Sequence, residues 1–368
     1  MKNLTFKPTN LVYNILVLGI ILEIIGVSTL YAVPLGLAFG LLLGFFKSPV
    51  GALFAPIQKE IWEKDIQGNL YKSNAFLKTF SAADKDNING RTVHIPQAGK
   101  GGNVEKNRSV LPAQIKKRTD TVESYQINEF TSDPILIPHA DTVELSYAKR
   151  ESALQEEQSK LNQEVAEDTL ISIVKSPVGT VTDLPQTSIL STNSEIKVPA
   201  TAIGATGLVK AYSLDDLQRG RTFFVRQNSW TDGKMYALIT AEAEAQMFPA
   251  NSVVTATYMA SVTEEERRNG VMYKAYGFQI ITRSSVYTLN EAGAFKPSGA
   301  VGAATDVEGV VFYNGNQVEF ALGDIEFFGN EGRAEYYGDV YSFLARSGAR
   351  PKRANYEGVL VVKQAPTA

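Results

Sequence analysis

The sequence predicts an α+β protein on three observations: one very long helix, a series of short strands in the C-terminal half, and two strand signals that bracket a long polar loop. The helix runs from Asp141 to Lys175, 35 residues without Gly or Pro. It is dense in Ala, Leu, Gln, Glu and Lys, which lose least on entering a helix. Tyr147, Leu154, Leu161 and Val165 recur at intervals of seven and four as a narrow apolar stripe, while Lys149, Arg150, Glu156, Glu157 and Lys160 fill the other faces. At 1.5 Å per residue such a helix extends about 50 Å. Asp141 is a candidate N-cap with Glu144 three residues on, and Pro177 and Gly179 stop the helix. A coiled coil competes with a single packed helix, but Arg150 and Gln158 interrupt the stripe.

Composition removes several classes of function. With 44% apolar and 20% charged residues, 368 residues suffice for two or three domains with real cores. A net charge of −3 argues against a protein whose main task is to coat nucleic acid. There is no cysteine, which excludes disulfides, thiolate catalysis and Cys-ligated zinc, and His94 and His139 are the only histidines. No metal, cofactor or catalytic residue is assigned, because no acid/base pair, nucleophile elbow or phosphate loop stands out.

Taken in order, the chain opens on an anomaly. Leu11 to Phe46 carries Glu23 as its only charge, and Leu11 to Val33 is long enough to span a bilayer before Pro34 and a shorter Gly-rich run. The physical reading is a membrane-spanning helix or helical hairpin. The alternatives are an extension buried between subunits or removed during maturation, since Glu23 is costly in lipid without a partner. Ala52 to Gln67 follows as an amphipathic helix carrying Ile61 and Trp62, and Phe76 lies in a less regular segment after it. Thr92 to Ile95 is a strand ended by Pro96, and Thr121 to Phe130 is a returning strand. Between them lies a Gly-rich loop with Lys100, Lys106, Arg108, Lys116, Lys117 and Arg118 against Glu105. Its Gly-Lys-Gly-Gly-Asn run lacks the spacing of a phosphate loop, and no aromatics are interleaved for stacking on bases. So long a loop is expected to grip a neighbour.

After the long helix, Ser176 to Gly207 reads as loops with an edge strand. Ser213 and Asp216 then form a capping-box signal for a helix through Phe224, with Gly220 weakening its middle. Lys234 to Thr240 is a strand, Ala241 to Met247 a short helix, and Val271 to Thr282 two strands with a turn at Gly277. Val307 to Phe312, Gln317 to Leu322 and Ile325 to Phe328 are strands, the first two joined as a hairpin by Asn314-Gly315. Tyr336 to Leu344 and Gly358 to Val362 close the chain.

This order resembles the major capsid proteins of tailed phages, the Hong Kong 97 fold, from Val50 to the C-terminus. The loop entry GRTVHIPQAGKGGNV, the exit ESYQINEFTSDPILI, the long helix, and SLDDLQRG followed by GKMYALITAEAEAQM are similar to that family's extended loop, spine helix and axial domain. The resemblance implies a hydrophobic extension at 1–46, an N-terminal arm at 47–80, an extended loop hairpin at 81–130 and a peripheral domain with the spine helix at 131–205. An axial domain at 206–345 and a strand at 346–368 returning to the peripheral domain complete it. It implies a structural protein of the virion, not an enzyme, assembled in the bacterial host cytoplasm into hexamers and pentamers of itself. Portal, scaffold or decoration proteins, non-specific contact with packaged DNA, and membrane contact through 11–46 are the further partners to be expected. The residues expected at subunit contacts are Ile61, Trp62 and Phe76 on the arm, Lys100, Gly101, Gly102, Lys106 and Arg108 on the loop, and Tyr147, Leu154 and Leu161 on the spine. Some relatives weld their loops by a Lys–Asn bond, for which Lys100 or Lys106 and Asn355 are positioned in sequence, although no pattern here is specific to it. The competing readings are a membrane-anchored binding or envelope protein, and a nanocompartment shell protein of the same fold.

Overall fold

A computed structural model describes residues 70, 74–84, 88–99, 102–109, 111, 112, 115, 117–138, 149–175, 183–297, 300–333 and 335–367. The expected apolar span at 11–46, the helix at 52–67 and the first turns of the long helix at 141–148 lie outside them. Among the described residues no helix is long and apolar enough to cross a membrane.

Short strands β1 (Ser81–Ala82) and β2 (Ile88–Asn89) precede β3 (Thr92–Gln97) and β4 (Thr121–Gln126), which are followed by β5 (Asn128–Thr131) and β6 (Ile135–Pro138). Helix α1 (Lys149–Val174) comes next, then β7 (Ile189–Ser191), β8 (Lys197–Pro199), β9 (Leu208–Lys210) and α2 (Leu214–Arg226). β10 (Met235–Thr240) leads to α3 (Ala241–Met247), α4 (Val253–Ala260) and α5 (Glu264–Arg268), the last two not foreseen from the sequence. β11 (Val271–Ala275), β12 (Phe278–Arg283), β13 (Tyr287–Leu289), β14 (Val307–Asn314), β15 (Val318–Arg333), β16 (Gly338–Pro351) and β17 (Val359–Lys363) complete the chain.

These strands form two main sheets. A seven-stranded mixed sheet has the order β11-β12-β10-β14-β17-β7, with β13 also on β14, and a five-stranded sheet has the order β1-β15-β16-β5, with β6 also on β16. Every residue of β10 and β14 is buried, as expected for strands in the middle of a covered sheet. Helix α2 starts at the expected Ser213–Asp216 capping box and lays Leu217 and Phe224 on this sheet, against Ala237, Ile239, Phe278 and Phe312. Gly220 has a different role from a weak point. A Cβ there would lie 2.6 Å from the Phe312 ring and 3.5 Å from Leu360, so Gly is what lets the helix sit this close. The turn between β11 and β12 falls where expected, with Tyr276 and Gly277 both at positive φ.

The Asn314-Gly315 hairpin does not form. β14 pairs with β10 and β17, whereas β15 pairs with β16 in the other sheet, so the chain leaves one sheet for the other at Asn314. The physical reason is the Asn314 side chain, which is fully buried. Its amide donates to the Ser229 carbonyl at 2.7 Å and to Thr231 Oγ1 at 2.9 Å, and its oxygen accepts from the Asn316 amide at 3.0 Å. Gly315 is required by contact as well, since a Cβ would lie 2.3 Å from the Thr79 carbonyl oxygen. The return crossing runs beside the first: Asn314 N donates to the Gly358 carbonyl at 2.8 Å and Lys352 N to the Gln317 carbonyl at 2.7 Å. Residues 307–333 and 338–363 are thus one antiparallel ribbon, bent across two sheets and turned at its far end between Arg333 and Gly338.

That ribbon corrects three further expectations. The strands expected at 317–322 and 325–328 are one strand, β15, with a register shift between Leu322 and Ile325. The expected boundary at 345/346 falls inside β16, and the final strand β17 enters the seven-stranded sheet beside β14, not the sheet of the spine helix. The returning strand at 121–130 is broken at Ile127 into β4, which pairs with β3, and β5, which pairs with β16.

Helix α1 packs on β16 and β5 of the ribbon sheet. It also reaches the other sheet, where Tyr287 donates to the Leu170 carbonyl at 2.7 Å and Arg283 lies 3.7 Å from Glu167. Its buried side includes Gln158, Asn162 and Thr169 beside Leu154, Leu161, Val165 and Leu170, so Gln158 belongs to the packed face that its polarity had made it interrupt. Substituting Gly220→Ala tests the close approach of α2. Helix propensity alone predicts a gain of about 1 kcal/mol, but contact with Phe312 is expected to cost about 1–3 kcal/mol. A urea midpoint that falls with unchanged slope is the expected outcome, and a rise would show that the sheet yields.

Candidate assembly surface

The long polar loop is carried on a built platform. β3 and β4 pair from Thr92↔Gln126 to Gln97↔Thr121, so the strand continues through Pro96 instead of ending before it. β2 pairs only with Val93 and Thr92, which leaves Pro96 with a neighbour on one side, the setting that tolerates a missing N–H. One face of the hairpin buries Val93, Ile95, Tyr125 and Ile127 against Ala321 of the ribbon. Close approach is permitted by Gly348, where a Cβ would stand 2.7 Å from the Gln126 carbonyl oxygen.

Polar contacts lock the same junction. Arg350, with its side chain 3% exposed, donates to the Ser124 carbonyl at 2.7 Å and to Glu123 Oε2 at 2.9 Å. Tyr125 donates its hydroxyl to Glu319 Oε1 at 3.1 Å, Gln97 Nε2 donates to the Lys352 carbonyl, and Lys352 Nζ donates to Ser81 Oγ at 2.7 Å. Burial raises the Glu319 carboxyl above the usual carboxylate range, against the opposing effects of the Tyr125 hydrogen bond and the Lys352 charge. These residues escaped the sequence reading because their charges look solvated in one dimension. The small-residue run Ser347, Gly348, Ala349 next to Arg350 was the available signal.

Past the strands, a neck closes the loop. Gly99 N donates to Asp120 Oδ1 at 2.8 Å, and Arg118 lies 2.7 Å from the same carboxylate. The Arg118 guanidinium and the Gly99 amide together hold the Asp120 carboxyl below its ordinary range. A Cβ on Gly99 would collide with the Thr119 carbonyl oxygen at 1.9 Å, so only Gly allows the two sides to meet. Beyond the neck the described residues form no helix or strand. Val104 and Ile115 are fully exposed and Leu111 is 79% exposed. Lys106 is exposed, and Arg108 is half-buried 3.6 Å from Glu105. A Cβ on Gly102 would meet nothing within 4 Å.

The expected contact residues therefore divide. Gly102, Lys106 and Arg108 lie together on the projecting loop, while Phe76, Leu154 and Leu161 are buried within the chain itself. Phe76 meets Phe80 edge-on at 5.7 Å, and Phe80 meets Tyr313 at 5.0 Å, so this part of the arm is sealed on its own subunit. Side chains covered this fully have no area left for a neighbour, which corrects their assignment as intersubunit contacts. Ile61, Trp62, Lys100, Gly101 and Tyr147 lie outside the described residues.

Arg350→Met is expected to cost about 3–5 kcal/mol, because it leaves Glu123 and the Ser124 carbonyl without their donor. Hydrogen exchange should then show the hairpin amides deprotected while those of the seven-stranded sheet keep their protection; uniform loss would refute a local clamp. Glu319→Gln tests the buried carboxyl. A carboxyl whose pKa is raised on folding stabilises the folded state fully below the unfolded pKa, and that advantage is lost as pH rises through the folded value. The variant should therefore lose less stability than the parent between pH 4 and pH 7 (roughly the carboxylate range and above), read from melting temperatures.

No protein-family model and no curated protein sequence matches the chain. Solved structures do. The capsid of Ralstonia phage GP4 aligns with a TM-score of 0.55 at 10% identity, covering 79% of this chain and 88% of that chain. The capsid structure of cyanophage P-SCSP1u aligns at 0.53 with 13% identity, covering 79% and 88%. The capsid of cyanophage Pam1 aligns at 0.53 with 11% identity, covering 79% and 92%. The likeness lies in the fold and not in the sequence: the chain has the fold of these phage capsid proteins, which the order of loop, spine helix and C-terminal strands had led one to expect.

Proposed function

We propose that the chain is a major capsid protein that assembles with copies of itself into the icosahedral head shell of a tailed double-stranded DNA phage. The observation that carries this reading is the projecting loop. A hairpin clamped on the ribbon carries three bare apolar side chains, Val104, Leu111 and Ile115, together with the exposed Lys106. Loops of this length persist where they are used, and a chain that exposes such side chains completes their burial on a partner. The capsid fold makes that partner another copy, since closed shells are built by repeating one contact under symmetry.

Within this reading Gly102, Lys106 and Arg108, with Lys100 and Gly101, are the loop's contact residues. Hexamers and pentamers are the assembling units, and the role is structural. Portal, scaffold and decoration proteins are further partners of such a shell, and the apolar run at 11–46 is its route to membrane contact during assembly in the host cytoplasm. The balance of −3 suits a shell wall that does not hold packaged DNA tightly.

Expression of the full chain followed by sedimentation and negative-stain microscopy tests the reading. Rings or closed shells are expected; a compact monomer under every assembly condition overturns it. Val104→Ser and Ile115→Ser should each weaken association roughly 10- to 100-fold, from about 1.5–3 kcal/mol of lost apolar burial per side chain, without lowering the melting temperature of the dispersed subunit.

A further inference from the structure

Helix α4 has only one buried residue, Thr255. Val253 is 82% exposed and Val254 47% exposed, and Met259 and both alanines of the helix are exposed as well. A helix that is apolar and bare belongs under a cover in the working assembly. Beside it, the first turn of α5 presents Glu264 and Glu265 to solvent. Of its other charges, Glu266 lies 2.5 Å from Lys274 and accepts from the Thr263 cap, Arg267 donates to the Met259 carbonyl at 3.1 Å, and Arg268 is exposed in the last turn. Both helices pack on β11, the strand at one end of the seven-stranded sheet.

The opposite end of that sheet is β7, and its surroundings are complementary. A cavity of about 570 Å³ opens between Thr187 and Leu190 on one side and Arg219, Phe223 and Arg226 of α2 on the other. Residues 219, 223 and 226 share one side of the helix, at spacings of four and three. Leu190 and Phe223 give an apolar floor, and the two guanidinium groups give a cationic rim. Arg219 is held in place by Asp216 at 3.1 Å and by the Ser191 carbonyl at 2.9 Å, and Arg226 is exposed.

One end of a single sheet thus carries an apolar projection flanked by carboxylates, and the other an apolar hollow flanked by guanidiniums. A contact between opposite ends of identical chains is heterologous, and repeating it gives a ring when the rotation per step closes. Pairing like with like would set carboxylate against carboxylate and knob against knob.

We propose that α4 and the start of α5 of one copy seat in the β7–α2 groove of the next, with Val253 toward Leu190 and Phe223, and Glu264 and Glu265 toward Arg226. This contact runs head to tail and builds the ring-shaped unit of the shell. It rests on the shell reading and adds to it a surface made of residues other than those of the loop.

Two measurements on the full chain test it. Arg226→Glu and the double variant Glu264→Arg/Glu265→Arg should each raise the concentration needed for assembly at least about 10-fold, and combining them should restore assembly to near the parent level. Because the chain has no cysteine, introduced thiols report contacts cleanly. Chains bearing Val253→Cys, mixed with chains bearing Thr187→Cys under oxidised glutathione, should give a disulfide-linked pair that neither chain gives alone. If the parent forms shells but the reversals are harmless, or are not mutually rescued, this contact is wrong and the shell reading stands. Linkage of Val253→Cys chains to one another, as readily as to the mixed partner, equally overturns the head-to-tail contact. If the parent never assembles and no mixed disulfide forms, both readings fall together.

Discussion

The architecture depends on one paired crossing. At Asn314 the chain leaves the seven-stranded sheet, and at Gly358 it comes back beside its own departure point. The two crossings hydrogen-bond to each other, and the buried amide of Asn314 ties the outgoing one to Ser229 and Thr231. Burying an amide this deeply is unfavourable unless its hydrogen bonds are met, and here both ends of the side chain are engaged. The bend is thereby confined to one place. It makes a single antiparallel ribbon serve as the spine of one sheet and the middle of another, so neither sheet can be completed without its partner.

Everything that projects is referred to that ribbon. The spine helix lies on β16 and reaches across to Tyr287 and Arg283, and the hairpin of β3 and β4 is clamped on the same ribbon by Arg350 and Glu319. The clamp combines an apolar patch, which has no directional preference, with charged hydrogen bonds, which do. The first holds the hairpin down and the second sets its angle. Attachment and direction of the hairpin are thereby both defined.

What remains exposed is then the informative part. The loop beyond the Gly99–Asp120 neck, the bare helix α4 and the Arg-rimmed hollow beside β7 lie outside the cores of both sheets, and each carries chemistry that a monomer leaves unused. The loop combines cations with apolar tips. The two ends of the seven-stranded sheet combine opposite charges with a knob and a hollow. In both, charge supplies direction and apolar area supplies strength to any contact made there.

Local signals were legible in the one-dimensional text. The capping box at Ser213 and Asp216, the turn at Tyr276 and Gly277, the spine helix from Lys149 to Val174 and the strands on either side of the loop all depend on neighbours within a few residues, and all are present. The loop's cations could be placed together for the same reason. Other features depend on residues far apart in the sequence, 85 positions for Asn314 and Ser229. Asn314-Gly315 carries a hairpin signature, yet a buried partner at Ser229 turned it into a crossing; Gly220 looks like a weak point, yet Phe312 needs the room it leaves. Phe76, Leu154 and Leu161 were visible as apolar, but whether an apolar side chain faces its own core or a neighbour is a property of the assembled surface. Sequence by itself determined which segments could be helix, strand and projecting loop, because backbone propensity and hydrogen bonding to near neighbours are local. Tertiary structure alone decided which strands pair and which apolar and charged groups remain uncovered, because burial depends on what the rest of the chain brings alongside.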